Sequence, residues 1–205
     1  MAPLLVLGTA NRHKGRELAG LLAAVGLELR TLADFPDAIE VPEDGETFAA
    51  NAAKKAIEQA RHLGHWVLAD DSGLAVDFLG GRPGVLSARY AGPEATDAAN
   101  NRKVLAELRD VPTEQRTARF VCHIVVADPA GTIRAESEAA CRGRLLWEPR
   151  GNEGFGYDPL FEIVEYHQCF GQLSPLVKSY LSHRARAARA VTARLIELVD
   201  AGELA

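Results

Sequence analysis

The order of hydrophobic patterns constrains the fold of this chain more than any other feature. A short apolar run, Leu4 to Gly8, leads into a helical pattern from about Arg12 to Val25, in which Leu18, Leu21, Leu22 and Val25 recur at i, i+3, i+4 and i+7. Gly26 closes that helix. A second strand is expected around Glu28–Thr31. An acidic, proline-bearing loop, Asp34 to Glu46, separates it from a helix capped by Thr47, which runs through FAANAAKKAIEQARHL and stops at Gly64. Trp66-Val67-Leu68-Ala69 then reads as a buried strand. Further on, a helix is expected from Thr96 or Asp97 to about Leu108. Arg116–Ala127 alternates like a strand, with Thr132–Cys141 as its partner across the turn Asp128-Pro129-Ala130-Gly131. Ser174-Pro175 opens a short helix, and Ser182 is expected to cap a terminal one that reaches about Val199. Helices interleaved with strands, and a long hairpin in the second half, predict an α/β fold on a mixed sheet rather than a purely parallel one.

A chain of 205 residues can bury one sizeable core, or one core split into two lobes, so a single domain over residues 1–205 is expected. With 47% hydrophobic and 25% charged residues, the composition is that of a soluble globular protein. No apolar run approaches a membrane span, and the N-terminus lacks a signal peptide's basic start, so a cytoplasmic protein with no membrane partner is expected. A net charge of −5 argues against a nucleic-acid partner, whose binding would need a basic face. Positive charge is local instead, at Arg12 to Arg16 and at Arg184, Arg186, Arg189 and Arg194, which suits a small anionic ligand. Cys122, Cys141 and Cys169 are scattered without a CxxC pair and read as buried thiols.

The adjacent carboxylates Asp70 and Asp71 raise a physical problem. Neighbours on a strand point to opposite faces, so one of them would enter the interior unless the strand stops there. An unpaired buried carboxylate costs several kcal/mol at least, a large share of a domain's stability of about 5–15 kcal/mol. Ser72-Gly73 reads as a tight turn after the pair, with Leu74, Val76 and Phe78 resuming the alternation. Either the pair ends a strand in solvent, or a cation awaits it.

Other segments offer that cation and an anion to go with it. GTANRHKGRE, Gly8 to Glu17, follows the first strand and opens the first helix, whose N-terminus favours phosphate. Thr9, Asn11 and Lys14 add a hydroxyl, an amide and an ammonium, although Asn11 could equally serve as a plain helix cap. VPEDGETF carries Glu43 and Asp44, either a solvated acidic loop or part of a Mg²⁺ site completed by substrate phosphates. GNEGFGYDP, Gly151 to Pro159, joins three glycines to Phe155 and Tyr157, a backbone able to approach a flat ligand closely. His183-Arg184 places cations at a helix start, where the dipole disfavours them unless something anionic lies nearby.

Taken together, TANRHK, ETFAANAAKKA, ADDSGLAVDFLGGRPGVLSARYAG, GFGYDPLF and SHRARA resemble the inosine triphosphate pyrophosphatase family, over nearly the full chain and in the family's order. The resemblance implies an elongated mixed α/β fold of two lobes around a central cleft, a homodimer, and Mg²⁺-dependent hydrolysis of non-standard purine triphosphates to monophosphate and pyrophosphate. It implies that Thr9, Ala10, Asn11, Arg12, His13 and Lys14 hold the phosphates, with Lys55 and Ser72 facing the same end. It assigns Glu43 and Asp71 to the metal, and Asp71 also to the activation of water. The Asp70-Asp71 pair is then expected to end its strand at the cleft, with Asp71 reaching the metal and Asp70 supporting the turn. Phe155, Gly156, Tyr157, Asp158, Lys178, His183 and Arg184 would form the nucleobase pocket. The chain departs from the family pattern at Ala185, at LSPLVK and at EYHQCFGQ. Two other readings compete: a nucleotide-binding sensor that does not cleave its ligand, and a phosphatase working through an aspartyl phosphate. The second would need a DxD spacing at the first strand, which is absent.

Overall fold

In the computed structural model, which describes residues Ala2–Leu204, the expected elements form in the expected order. β1 (Leu4–Leu7), α1 (Arg12–Leu22) and β2 (Glu28–Thr31) come first. A short 3-10 turn, Ala23–Val25, extends α1 to Gly26, which takes a left-handed φ of 80°. α2 (Phe48–Leu63) starts at Thr47, whose hydroxyl accepts from the Ala50 N–H, and ends at left-handed Gly64. β3 (Trp66–Val76), α3 (Asp97–Glu107), β4 (Thr117–Ala127) and β5 (Ile133–Leu145) follow, and β5 runs beyond the Cys141 at which the sequence pattern ended it. Two short strands that the pattern did not reveal, β6 (Phe161–Ile163) and β7 (Gln168–Cys169), precede α4 (Pro175–Leu181) and α5 (His183–Asp200).

The strands lie in one sheet in the order β2-β1-β3-β4-β5-β6-β7. β1 pairs in parallel with both β2 and β3, whereas β5, β6 and β7 pair antiparallel, so the sheet is mixed as expected. The chain divides into two compact units: one takes in residues up to Asp71, Cys122–Ala139 and the chain from Arg184; the other takes in Ser72–Val121 and Ala140–His183.

In the first unit the pleat sorts side chains onto two cores. Leu5, Leu7, Leu68, Cys122, Ile124 and Val126 pack with Leu18 and Leu22 of α1 and with Val191 and Leu195 of α5. On the other face Val6, Val67, Ala69, Val125 and Ala127 meet Ala52, Ala56 and Ala60 of α2. Small side chains on α2 let that helix lie close to the sheet. The second unit has a larger aromatic core, built on Leu74, Val76, Phe120, Phe161 and Phe170 with Val104 and Leu108 of α3. Arg116 is fully buried there. Its guanidinium donates to the carbonyls of Leu108, Leu145 and Leu146 at 2.7–2.8 Å, so the charge ties three backbone acceptors together.

One expectation fails at β3. Asp70-Asp71 does not end a strand and Ser72-Gly73 is not a turn: β3 runs unbroken for 11 residues through all four. The reason is that the two carboxylates find cations inside the protein, as described below, so no break is needed to reach water. Gly73 serves close approach instead. A Cβ there would lie 2.4 Å from the Ser87 hydroxyl oxygen and 2.6 Å from the Gly84 carbonyl oxygen. Gly73→Ala is therefore expected to destabilise the protein by roughly 1–3 kcal/mol through overpacking, measured as a shift in the denaturant midpoint. An unchanged midpoint would show that the Gly84–Ser87 segment yields freely.

Candidate active site

Asp70 and Asp71 point to opposite faces of β3 because they are consecutive. Asp70 shares its parity with Leu68, on the face covered by α1 and α5, and Asp71 shares its parity with Ala69, on the face covered by α2. Each side of the strand therefore carries its own charged group.

On the first face Asp70 is completely buried. Its Oδ2 lies 3.4 Å from Lys14 Nζ and accepts from Arg184 Nε at 3.2 Å. Arg184, also buried, donates through Nη1 to Glu17 at 2.5 Å, and Glu17 sits one turn beyond Lys14 on α1. Two acids and two bases thus alternate, which is how buried charges are tolerated. Burial by itself would push the Asp70 carboxyl up; Lys14 and then Arg184 outweigh it and hold the group well below the usual carboxylate range. The Cys122 thiol lies 3.8 Å from Asp70, and burial followed by that carboxylate pushes it up, so it stays protonated. All three cysteines are buried and free, as expected.

The loop that leads into α1 is ordered by its own side chains. Asn11 Oδ1 accepts from the backbone N–H groups of His13 and Lys14 at 2.9 and 3.2 Å, and Thr9 Oγ1 accepts from the N–H of Asn11 at 3.2 Å. Asn11 is the helix cap. Ala10, Arg12 and His13 are exposed around it, and Lys14 is directed toward Asp70.

On the second face Asp71 is buried, 4% exposed. Asn51 of α2, fully buried, donates to Asp71 Oδ2 at 3.1 Å and accepts from the Gly45 N–H at 2.8 Å. One amide therefore fixes both the carboxylate and the acidic loop. Lys55, one turn further along α2, reaches Glu43 at 2.7 Å and Asp71 Oδ1 at 3.6 Å. Asp44 points the other way, into an exposed pair with Lys54. Burial raises the Asp71 carboxyl, and Glu43 adds to this; the opposing pull of Lys55 and Lys14 does not cancel it. Burial would lower Lys55, but Asp71 and Glu43 outweigh that, so its ammonium stays charged. A buried carboxylate with a raised proton affinity, beside a second carboxylate and a fixed cation, can take a proton from water and can contribute oxygen ligands to a hard cation. Among the described residues there is no group of three or more His, Cys, Asp or Glu side chains able to hold a metal ion without help.

In the second unit the glycine loop is stapled from within. Asp158 Oδ2 accepts from the Phe155 N–H at 2.8 Å and from Lys178 Nζ at 2.6 Å, and that ammonium also sits 4.7 Å from the centre of the Phe155 ring. Gly154 and Gly156 take left-handed φ values of 77° and 62°, which lets four residues curl around one carboxylate. Tyr157 is buried and its hydroxyl donates to the Ser87 carbonyl at 2.8 Å, so it anchors the loop and leaves Phe155 as the aromatic surface. His183 is buried and stacks on Phe120, with ring centroids 4.7 Å apart. Ser72 is half-buried on β3.

The structure thus brings Lys14 together with Asp70, Glu43 and Lys55 together with Asp71, and Phe155 together with Asp158 and Lys178. Arg184, grouped with the nucleobase residues by sequence, is placed on Asp70, while its neighbour His183 belongs to the other unit. Sequence reasoning missed Glu17 and Asn51. The signals were spacing: Glu17 is at i+3 from Lys14, and Asn51 at i−4 from Lys55, each on the same helix face as a residue already singled out.

Comparison with known proteins finds relatives over nearly the full chain. The profile of the Ham1 family matches residues 5–194. A dITP/XTP pyrophosphatase of Rhodopirellula baltica is 55% identical over 196 residues, covering 96% of this chain and 94% of that protein. One from Geobacillus kaustophilus is 52% identical, covering 89% of each. Among solved structures, a HAM1 protein from Coxiella burnetii superposes with a TM-score of 0.87 at 35% identity, over 96% of this chain and all of the other.

Proposed function

The chain belongs to the Ham1 family, and from that premise we propose how its residues divide the work of the reaction. It is a nucleoside triphosphate pyrophosphatase: it hydrolyses non-standard purine triphosphates such as dITP, ITP and XTP to the monophosphate and pyrophosphate, removing them from the nucleotide pool. The observation that carries the assignment of roles is Asp71, a buried carboxylate of raised proton affinity that Asn51 orients beside Lys55 and Glu43. A protein that only held a triphosphate would have little use for it.

In this reading a water molecule gives its proton to Asp71 as its oxygen bonds to the α-phosphorus. The bond from that phosphorus to the bridging oxygen breaks, and pyrophosphate leaves with the oxygen. Thr9 to Lys14 receive the phosphates at the start of α1, where the helix dipole favours anions, and Lys14 and Lys55 supply fixed positive charge. Arg184 enters through Asp70, whose charge it offsets. Glu43 and Asp71 would hold Mg²⁺, and the donor set suits it: two hard carboxylates within reach of one ammonium, short of an all-protein cage, match a cation that takes one or two carboxylates plus substrate phosphates. When bound, the ion supplies charge stabilisation at the phosphate oxygens.

The purine falls to Phe155–Asp158, Lys178 and His183. A six-carbonyl is an acceptor, matched by the Lys178 ammonium and backbone N–H groups, whereas the six-amino group of adenine would set donor against donor. A homodimer in the cytoplasm completes the proposal; no helix among the described residues is long and apolar enough to cross a membrane.

Product analysis tests the whole reading. Incubated with ITP, XTP, GTP and ATP, with and without Mg²⁺, the protein should release pyrophosphate from the first two and only with the ion. Orthophosphate as the product would overturn it. A narrower prediction concerns Lys14. Losing one charge-assisted phosphate contact costs about 1.5–3 kcal/mol of binding, so Lys14→Ala should weaken every triphosphate alike. A loss confined to one base would place Lys14 elsewhere.

A further inference from the structure

The loop assigned to the purine is gripped from outside as well as from within. Gly156 offers one N–H and one carbonyl, and α3 takes both. Asp97 Oδ2 accepts from the Gly156 N–H at 2.7 Å, and Asn101 Nδ2 donates to the Gly156 carbonyl at 3.0 Å. Asp97 and Asn101 are four residues apart, so they stand one above the other on the same helix face. α3 is itself fixed at that end by Thr96, whose hydroxyl accepts from the Ala99 N–H. Asn101 is buried, and its carboxamide oxygen has no hydrogen-bond partner among the described residues. Its orientation is therefore set by the Gly156 carbonyl, at the expense of a buried acceptor. Asp97 is exposed. A solvated carboxylate adds little to a core, so this bond is placed to shape the loop.

We infer that Asp97 and Asn101 are positioning residues for the purine: they clamp the Gly156 peptide and so hold the Phe155 ring and the Asp158 carboxylate in register. Gly156 is the residue between Phe155 and the Tyr157 anchor, and its left-handed backbone (φ 62°) is the joint about which the Phe155 ring would swing. With both peptide groups tied to α3, the ring stays over Lys178 and the Asp158–Lys178 pair stays closed before any ligand arrives. Release of the clamp frees the ring from its place over Lys178 and lets the loop sample other conformations, which a purine must then re-order on binding. The cost falls on base affinity, not on the chemistry at phosphorus. This inference rests on the assignment of the purine to the Phe155–Asp158 loop.

The test measures binding of inosine monophosphate and of inorganic tripolyphosphate separately, with steady-state constants for ITP. Asp97→Ala should weaken inosine monophosphate about tenfold, the low end for a hydrogen bond to a charged group, and raise KM for ITP to match. Tripolyphosphate affinity and kcat should hold. Asp97→Asn keeps an acceptor for the Gly156 N–H and should restore most of the loss, a rescue that general damage to the fold would not show. Asn101→Ala should act in the same direction, with thermal melting run alongside because this side chain is buried. Phe155→Ala serves as the reference for the loop itself. If Phe155→Ala weakens inosine monophosphate but Asp97→Ala does not, the clamp is overturned and the loop assignment stands. If neither variant changes it, the purine binds elsewhere and both ideas fall. Equal losses for tripolyphosphate and inosine monophosphate would also overturn the clamp.

Discussion

Asp71→Asn is expected to lower turnover of ITP by at least about a hundredfold, the usual loss when a general base is removed, with the fold intact. The substitution keeps size and shape. Asn51 can still donate to the remaining side-chain oxygen, and Lys55 keeps its 2.7 Å contact with Glu43. What disappears is the capacity to accept a proton and to offer a charged oxygen to a cation. The stability sign follows from linkage. Because the folded protein raises the Asp71 carboxyl, ionising it costs stability, and that cost develops as pH climbs from the unfolded value through the folded one. A neutral amide never incurs it. The variant should therefore melt no lower than the parent at neutral pH while being nearly inactive. Near-normal turnover would remove Asp71 from its role, and a lowered melting point would show that its ion pair with Lys55 outweighs its burial.

Arg184→Ala should be the most damaging single change to stability. It removes from the completely buried Asp70 the guanidinium at 3.2 Å, while Lys14 remains at 3.4 Å, and it takes the same guanidinium away from Glu17. Removing one member of a buried pair costs about 3–5 kcal/mol, against a total stability of about 5–15 kcal/mol for a domain. Denaturant midpoints would measure it, with Arg184→Lys as a milder variant in case the alanine form does not fold. The pH dependence distinguishes this cause from lost packing. In the parent the Asp70 carboxyl is depressed, so its contribution is present above the unfolded value and fades as pH falls through the folded one. In the variant the same carboxyl loses a cation, and protonation relieves it. The gap between the two proteins should thus narrow below about pH 4. A gap that stays constant with pH would assign the loss to packing.

Residues whose effects are local were readable in the sequence. Thr47, read as a cap, does cap α2, and Thr96 and Ser174, read as helix starts, cap α3 and α4, because a cap needs only its own chain three residues on. Gly26 and Gly64 end helices for the same reason. The mixed sheet was legible from the order of periods, since parallel neighbours need a crossover such as a helix and a hairpin gives antiparallel ones. Segments such as ETFAANAAKKA and GFGYDPLF pointed to the family by resemblance, and the match over residues 5–194 agrees.

The fate of Asp70-Asp71 was a different matter. Sequence alone could state the conflict, two acids on opposite faces of an apolar run, and it suggested a break in the strand as one way out. β3 continues instead because Lys14, Arg184, Lys55 and Asn51 arrive from three helices that are distant in sequence. The desolvation cost of a charge depends on what stands within a few ångströms of it, and no local pattern encodes that. Gly73 shows the same limit: glycine reads as a turn, yet only the approach of Gly84 and Ser87 explains its place in a strand. So does the separation of His183 from Arg184, neighbours in one motif that the fold sends to different partners, one stacked on Phe120 and the other bound to Asp70. Propensity, capping and periodicity act within a turn or two of chain and were settled by the sequence; charge compensation and close contact act through space and were decided when the helices met the sheet.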